Sequence, residues 1–163
     1  MKGHRQVRTP GSIQYKGELR SKTGLRTKGA RKKPMGGFKA LVVDDDPVMC
    51  KLASAMLTKL GYCVCAVDDG AEALFFLQKS SCDLMLTDYR MPAINGYQLG
   101  RRVKSLFPET RVIIMTGMSF KSVASLVDHE EIDGWLFKPF YLDELRSLLS
   151  RIGFAANNGA THL

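Results

Sequence analysis

The sequence predicts a doubly wound α/β domain, in which helices cover both faces of a five-stranded parallel sheet. Two observations lead to this prediction. Five short, almost entirely apolar runs recur from Phe38 onward, and five segments of helical length alternate with them. Strands that are buried on both faces have this continuous apolar pattern, which is typical of parallel sheets covered by helices. Right-handed crossovers then connect each strand to the next.

The predicted strands are all short. In chain order they are Ala40–Val43, Cys63–Val67, Leu84–Leu86, Val112–Met115 and Trp135–Phe137. Each ends just before a polar residue or a turn-forming segment, so the strands have clear carboxyl ends.

Start signals mark three of the predicted helices. Asp46 precedes Pro47, which gives an N-cap residue followed by proline at the first helical position. The segments Asp69–Glu72 and Asn95–Gln98 both have the spacing of a capping box. The helix after Pro47 also carries an apolar stripe that should face the sheet. Its members are Met49, Leu52, Ala53, Met56, Leu57 and Leu60.

Charge divides the 163 residues into two unlike parts. Residues 1–39 hold twelve Lys and Arg against one Glu, a net charge of +11, whereas the remainder is mildly acidic at −3. Few large apolar residues lie in the basic part, so it cannot bury enough surface to offset the entropy of ordering. We therefore expect a disordered basic arm over 1–37, a folded domain over 38–152 and a short flexible tail over 153–163.

Composition also excludes several classes of protein. Apolar residues make up 45% and charged residues 25%, which is the balance of a soluble globular protein. No apolar run is long enough to cross a membrane, and no apolar segment follows the basic N-terminus as in a secretory signal. We expect a cytoplasmic protein with four reduced cysteines, of which Cys63 and Cys65 share one face of their strand.

The candidate site residues are polar residues that follow four of the five predicted strands. They are Asp44–Asp46, Asp88, Thr116 and Lys138. Because the carboxyl ends of parallel strands meet at one edge of the sheet, we expect these side chains to lie close together. Carboxylates gathered there repel one another unless a cation lies among them, and oxygen ligands favour Mg²⁺ or Mn²⁺ over zinc. Asp46 is interpreted as a helix cap only.

Four motifs at these strand ends resemble those of the receiver domain of two-component response regulators. They are Val43-Asp-Asp-Asp-Pro47, Thr87-Asp-Tyr-Arg-Met-Pro-Ala-Ile-Asn-Gly96, Ile114-Met-Thr-Gly117 and Phe137-Lys-Pro-Phe140. They occur in the family's order and spacing, and the resemblance covers roughly residues 38–152. It implies the flavodoxin-like strand order 2-1-3-4-5 with five helices.

The resemblance implies a role for each acidic residue of the site. Asp88 becomes the phosphoacceptor of a two-component system or phosphorelay. Asp45 and Asp88 would bind Mg²⁺ (or Mn²⁺) directly, Asp44 would act through a water molecule, and the backbone carbonyl of Arg90 would complete the protein ligands. The chemistry agrees, because a carboxylate can attack phosphorus in line and form an acyl phosphate.

The same resemblance assigns the other strand-end residues. Thr116 and Lys138 would hold the phosphoryl oxygens, and the Lys138–Pro139 peptide bond would be cis. Trp135 lies three residues before Lys138, where the family has an aromatic switch residue that turns inward on phosphorylation. A tryptophan that is simply packed at the end of its strand is the alternative. Arg90 and Met118 lie where the family tunes hydrolysis, and either could shield the phosphoryl group or point into solvent.

The resemblance indicates the partner that donates the phosphoryl group, and the short segment after the domain indicates the kind of output. The phosphodonor would be a sensor histidine kinase, a histidine phosphotransfer protein or a small acyl phosphate. Only a dozen residues follow Arg151, so we expect a receiver without an output domain. It would be a regulatory phosphoacceptor rather than an enzyme in the usual sense, signalling by binding another protein or by passing the phosphoryl group onward. The changing surface would be helix 4, strand 5 and helix 5, about residues 119–150.

Two alternatives from other classes remain open. Haloacid-dehalogenase-type phosphatases also use a nucleophilic Asp and Mg²⁺ in an α/β sheet, but their nucleophile lies on the first strand. The basic arm could instead give weak, salt-sensitive and sequence-independent contact with nucleic acid. In a third interpretation the basic arm is not translated, because Met35 lies just before the domain and could be the initiator.

Overall fold

The computed structural model describes residues 37–125 and 131–154. Strands and helices alternate along this part of the chain. Their bounds are β1 Phe38–Val43, α1 Pro47–Lys59, β2 Tyr62–Val67, α2 Gly70–Lys79, β3 Leu84–Asp88, α3 Gly96–Leu106, β4 Arg111–Thr116, α4 Phe120–Ala124, β5 Gly134–Phe137 and α5 Leu142–Arg151. The predicted α/β class is confirmed.

The five strands form one parallel sheet in the order β2-β1-β3-β4-β5. The order confirms the prediction drawn from the resemblance. After β2 the chain crosses back over β1 to reach β3, so the direction of winding reverses between β1 and β3. In open α/β sheets, functional residues gather at the carboxyl ends of the strands beside this reversal.

Apolar side chains fill both faces of the sheet. On one face Leu57 of α1 and Leu145 of α5 cover the strands, and on the other face Leu77 of α2 and Leu99 of α3 do so. β3 is buried along its whole length because helices cover it on both sides. The central strands therefore hold their carboxyl ends rigidly.

The predicted helix starts are present. Asp46 accepts a hydrogen bond from the backbone N–H of Val48 at 2.9 Å, and Asp69 accepts one from the N–H of Glu72 at 2.7 Å. At the start of α3, Asn95 and Gln98 form both halves of a capping box. These side chains satisfy N–H groups that a helix leaves unpaired at its start.

Two expectations about burial were wrong. Strand β2 was expected to be buried on both faces, but Cys63, Cys65 and Ala66 are exposed because β2 is an edge strand. On one face α2 covers only part of it, and on the other Ala66 lines an open groove beside α1. Leu52 was expected to face the sheet with the rest of its stripe, yet 44% of its surface is exposed. Its position on α1 lies at the solvent border of the apolar face.

The packed core extends slightly past the expected boundary of the domain. Phe154 was expected in the flexible tail, but it is 1% exposed and its ring lies 4.9 Å from that of Phe38. Burial of an aromatic ring against the first strand is the physical reason that the ordered packing reaches this residue. Residues 1–36 of the predicted arm, the predicted tail beyond residue 154 and residues 126–130 of the predicted changing surface lie outside the described residues. No helix in the described ranges has the length and apolar character needed to cross a membrane.

Candidate functional site

Four strands bring the predicted polar residues to one edge of the sheet. Asp44 follows β1, Asp88 ends β3, Thr116 ends β4 and Lys138 follows β5. Asp44, Asp88 and Thr116 are all buried. Residues that are far apart in the sequence thus meet because parallel strands end at the same edge.

Lys138 connects two of the carboxylates. Its Nζ donates to Oδ1 of Asp88 at 2.6 Å and to Oδ2 of Asp44 at 3.2 Å. Burial alone would lower the pKa of Lys138, but the hydrogen bonds and negative charges of Asp88 and Asp44 outweigh it and raise that pKa above its usual value. The lysine is therefore held in its charged form. The peptide bond between Lys138 and Pro139 is cis.

Backbone N–H groups bind the remaining oxygens of the same two carboxylates. Oδ1 of Asp44 accepts from the N–H of Asp46 at 2.9 Å, and Oδ2 of Asp88 accepts from the N–H of Arg90 at 2.6 Å. Burial raises the pKa of Asp44, with a smaller contribution from the charge of Asp88, although the Asp46 N–H and Lys138 oppose it. Both oxygens of each carboxylate thus have a hydrogen-bond partner, which fixes the orientation of the two side chains.

Asp45 occupies a different environment from its neighbour. It is exposed, and together with Asp44 it lines an open groove of about 680 Å³ that reaches Asp68 and Glu72. Of the three carboxylates predicted for the site, Asp45 is therefore the one exposed to an ion or a ligand that enters from solvent.

The donor set fits a hard divalent cation. Asp44, Asp45 and Asp88 bring three carboxylates to this edge, while Lys138 is the cation that contacts two of them. Within the described ranges no three His, Cys, Asp or Glu side chains form a ready-made metal cluster. An ion here would therefore take part of its shell from water and backbone oxygen, as Mg²⁺ usually does.

Thr116 and Arg90 flank the carboxylates. Oγ1 of Thr116 accepts a hydrogen bond from the N–H of Met118 at 3.1 Å, which leaves its hydroxyl hydrogen available to another acceptor. Arg90 is exposed, whereas Met118 is half-buried. The sequence left open whether each side chain shields the phosphoryl group or points into solvent. In the structure Arg90 is exposed to solvent, whereas Met118 is partly covered by the protein.

Trp135 lies among aromatic rings rather than at an open end of its strand. Its ring centroid lies 6.2 Å from that of Tyr89 and 6.4 Å from that of Tyr97, and the Tyr97 ring stacks on it. The hydroxyl of Tyr97 donates to Glu131 at 2.6 Å. Since Tyr89 directly follows Asp88, the indole is connected by packing to the segment that carries the acid.

Sequence reasoning missed the part that Gly96 plays in the site. A Cβ at this position would overlap the carbonyl oxygen of Asp88, and the N–H of Gly96 donates to the carbonyl of Tyr89 at 2.9 Å. Glycine is needed for this close approach of two backbones. The signal was present, because Gly96 follows the Asn95 cap and ends the second motif, but no contact with the backbone of Asp88 was inferred from it.

Comparison with known proteins agrees with this geometry. The family model of the response regulator receiver domain matches residues 40–150. The transcription factor SKN7 of Saccharomyces cerevisiae is 37% identical over 115 residues, which are 71% of this chain and 18% of that protein. The sensor histidine kinase RcsC of Escherichia coli is 34% identical over 110 residues, 68% of this chain and 12% of the kinase. The chain thus spans less than a fifth of the length of these relatives.

Solved structures have the same fold. The response regulator protein TrrA from Thermotoga maritima, in complex with Mg²⁺ and BeF, is 27% identical with a TM-score of 0.65, over 71% of this chain and 98% of TrrA. The receiver domain of sensor histidine kinase PA1611 from Pseudomonas aeruginosa is 30% identical with a TM-score of 0.63, over 72% of this chain and 98% of that domain. That structure has a magnesium ion coordinated in the active site cleft.

Proposed function

Because this chain belongs to the family of response regulator receiver domains, which are regulatory phosphoacceptor modules, we propose that Asp88 is the carboxylate that accepts the phosphoryl group. The observation that supports this most directly is the 2.6 Å contact between Nζ of Lys138 and Oδ1 of Asp88. It brings a fixed positive charge to the atom at which a transferred phosphoryl group would arrive. Asp44 also contacts Lys138, but at 3.2 Å and from the neighbouring strand.

The proposed reaction is an in-line transfer from a phosphohistidine. An oxygen of Asp88 forms the new bond to phosphorus while the bond between phosphorus and the histidine nitrogen breaks, and its electron pair stays on the imidazole. The Asp88 carboxylate becomes an acyl phosphate. Lys138 stays protonated and neutralises charge on the phosphoryl oxygens, and the Thr116 hydroxyl donates a hydrogen bond to one of them.

A magnesium ion fits the same proposal. Asp45 and Asp88 would hold it through their carboxylates, Asp44 through a water molecule and Arg90 through its backbone carbonyl. When bound, the ion supplies positive charge that lowers the cost of bringing a phosphate towards several carboxylates. Support comes from the surplus of negative charge at this edge and from the magnesium in the PA1611 and TrrA structures.

Two kinds of partner are proposed, a protein that donates the phosphoryl group and a downstream protein that receives the signal. A sensor histidine kinase or a histidine phosphotransfer protein would donate the phosphoryl group. The face formed by α4, β5 and α5 would bind the downstream protein, because it carries large exposed side chains. Phe120 is 58% and Tyr141 72% exposed, and the Phe120 ring packs edge-on against that of Phe137. We propose that the output is regulated binding through this face or onward phosphotransfer.

Incubation with acetyl phosphate and Mg²⁺ tests the phosphoacceptor. Intact-protein mass spectrometry should detect one phosphoryl group that is labile to hydroxylamine, as an acyl phosphate is. The Asp88→Asn variant should lose this signal. Asp46→Asn is the matched control, because asparagine also caps a helix and Asp46 contacts neither Lys138 nor Asp88 through its side chain.

The pair of variants makes the result decisive. Undiminished labelling in Asp88→Asn would show that the acceptor lies elsewhere. Equal losses in both variants would show that the loss is not specific to Asp88, and the assignment would lose its support. Steady release of phosphate from a phosphomonoester by wild-type protein would favour the phosphatase alternative, although Asp88 lies on the third strand rather than the first.

A further inference from the structure

Two thiols lie together on the exposed edge of the sheet, away from the phosphorylation site. Cys63 and Cys65 are both exposed and both reduced. They alternate with Val64 on β2, and successive side chains of a strand point to opposite faces, so the two thiols share one face. Val67, two residues further on, belongs to the apolar cluster beneath α2, which identifies that face as the α2 side of the sheet.

The spacing of the two thiols does not suit a disulfide between them. Residues i and i+2 of a strand lie about 6.6 Å apart with parallel Cα–Cβ bonds. A disulfide needs the two Cβ atoms about 3.5–4.5 Å apart. A metal–thiolate bond of about 2.3 Å on each side lets one ion bridge sulfurs that are up to about 4.6 Å apart. Rotation of the two side chains about χ1 can close the remaining distance without bending the strand.

The neighbouring cysteine cannot serve as a third ligand. Cys82 is buried, and its Sγ donates to the carbonyl of Leu84 at 2.9 Å. Burial raises the pKa of its thiol to about 12, which disfavours the thiolate form that a metal needs. Zinc takes four ligands in structural sites, and soft thiolate ligands are also those that Cu(I) prefers. An ion that is satisfied by two sulfurs is therefore favoured over zinc.

We propose that Cys63 and Cys65 form a two-coordinate site for a soft, thiophilic cation, namely Cu(I). Binding releases two protons and forms two Cu–S bonds, with no change in oxidation state, and the bis-thiolate centre carries one negative charge. Lys39 is the partner of Cys63 in the strand register and is exposed on the same face. Its side chain therefore begins beside that of Cys63 on this face of the sheet.

Anaerobic titration of the reduced full-length protein with Cu(I) held by bicinchoninate tests the site. Wild-type protein should remove one Cu(I) per chain from the coloured chelate. Cys63→Ser and Cys65→Ser should each lower the affinity at least about tenfold. The matched control is Cys50→Ser, which removes a half-buried thiol that packs with the cluster on the opposite face of the sheet.

A second measurement needs no variant. Cu(I) should protect Cys63 and Cys65 together from alkylation by iodoacetamide, read by peptide mass spectrometry, while the labelling of Cys50 stays unchanged. Unchanged Cu(I) affinity in Cys63→Ser and Cys65→Ser would overturn the proposal. So would an equal loss in Cys50→Ser, or a stoichiometry of one Cu(I) per two chains, which would indicate an ion shared between copies.

Discussion

Nζ of Lys138 lies 2.6 Å from Oδ1 of Asp88, although the two residues are 50 positions apart in the chain. The contact exists because β3 and β5 end at the same edge of the sheet with only β4 between them. A half-buried ammonium next to a buried carboxylate is held in its charged form, which is why the pKa of Lys138 lies above its usual value. This pair is the geometric basis of the proposed phosphoryl site.

The first prediction concerns that lysine. Lys138→Ala should slow phosphorylation by acetyl phosphate about 100-fold, since a positioned donor to transition-state oxygen typically contributes this much. Radiolabelled or mass-spectrometric time courses would measure the rate. Lys51→Ala is the control, because Lys51 lines the neighbouring groove and its removal changes the charge near the site equally. A similar slowing in both variants would mean that general electrostatics, rather than the Lys138–Asp88 contact, controls the reaction.

A second prediction separates the two neighbouring acids. Asp45→Asn should weaken Mg²⁺ binding more than Asp44→Asn, because Asp45 is exposed to an incoming ion whereas Asp44 is buried and already bound to Lys138. Isothermal titration calorimetry of the two variants with MgCl₂ measures the difference. Equal losses would contradict the assignment of a direct ligand to Asp45 and a water-mediated one to Asp44.

Trp135 provides a third prediction because it is the only tryptophan in the chain. Addition of beryllium fluoride with Mg²⁺ should shift or quench its fluorescence as the indole moves relative to Tyr89 and Tyr97. Asp88→Asn should abolish the response, and Thr116→Ala should weaken it by removing the hydroxyl that couples the site to the ring. If the mimic binds calorimetrically and the emission is unchanged, Trp135 is a static packing residue.

Gly96 supports a fourth prediction, for stability. Gly96→Ala should lower the free energy of unfolding by about 2 kcal/mol, because the added methyl group overlaps the Asp88 carbonyl and the backbone must shift. Gly117→Ala is the control, since a Cβ there meets no heavy atom within 4 Å. Urea unfolding followed by circular dichroism compares the two. Equal stability of both variants would show that the loop after Asp88 adjusts without cost.

The fifth prediction concerns acid stability. Asp133 accepts hydrogen bonds from Lys104, Arg111 and the N–H of Val112. Burial opposes ionisation, but these partners together lower the pKa of Asp133 below its usual value. A carboxyl whose pKa is lowered by folding contributes stability above its unfolded pKa, and that stability is lost as the pH falls through the folded value.

Asp133→Asn should therefore lower the free energy of unfolding by about 3 kcal/mol at pH 7. The difference from wild type should shrink as the pH falls below the usual pKa of an aspartate. Asp143→Asn removes a carboxylate of an exposed ion pair with Arg146, and it should change the stability by less than about 1 kcal/mol. A wild-type advantage that stays constant down to pH 2 would refute the lowered pKa.

Much of the architecture could be predicted because its signals are local. The apolar runs and the caps at Asp46 and Asn95 depend on neighbouring residues, and both appear in the structure. The exposure of Leu52 and of the β2 thiols could not be predicted in this way. Which strand becomes an edge, and how far a helix covers it, depends on the packing of the whole sheet.

For the site too, some properties follow from the local sequence and others only from the tertiary structure. By itself, the sequence determined which residues end the strands and which chemistry they carry, because an Asp or a Lys has its charge wherever the chain places it. Only the tertiary structure decided that Lys138 contacts both Asp88 and Asp44, that Tyr89 and Tyr97 surround Trp135, and that Gly96 must lack a side chain. These relationships join residues from different strands and loops. Their distances are set by strand order and by how closely the backbones approach, and neither property can be read from a local pattern.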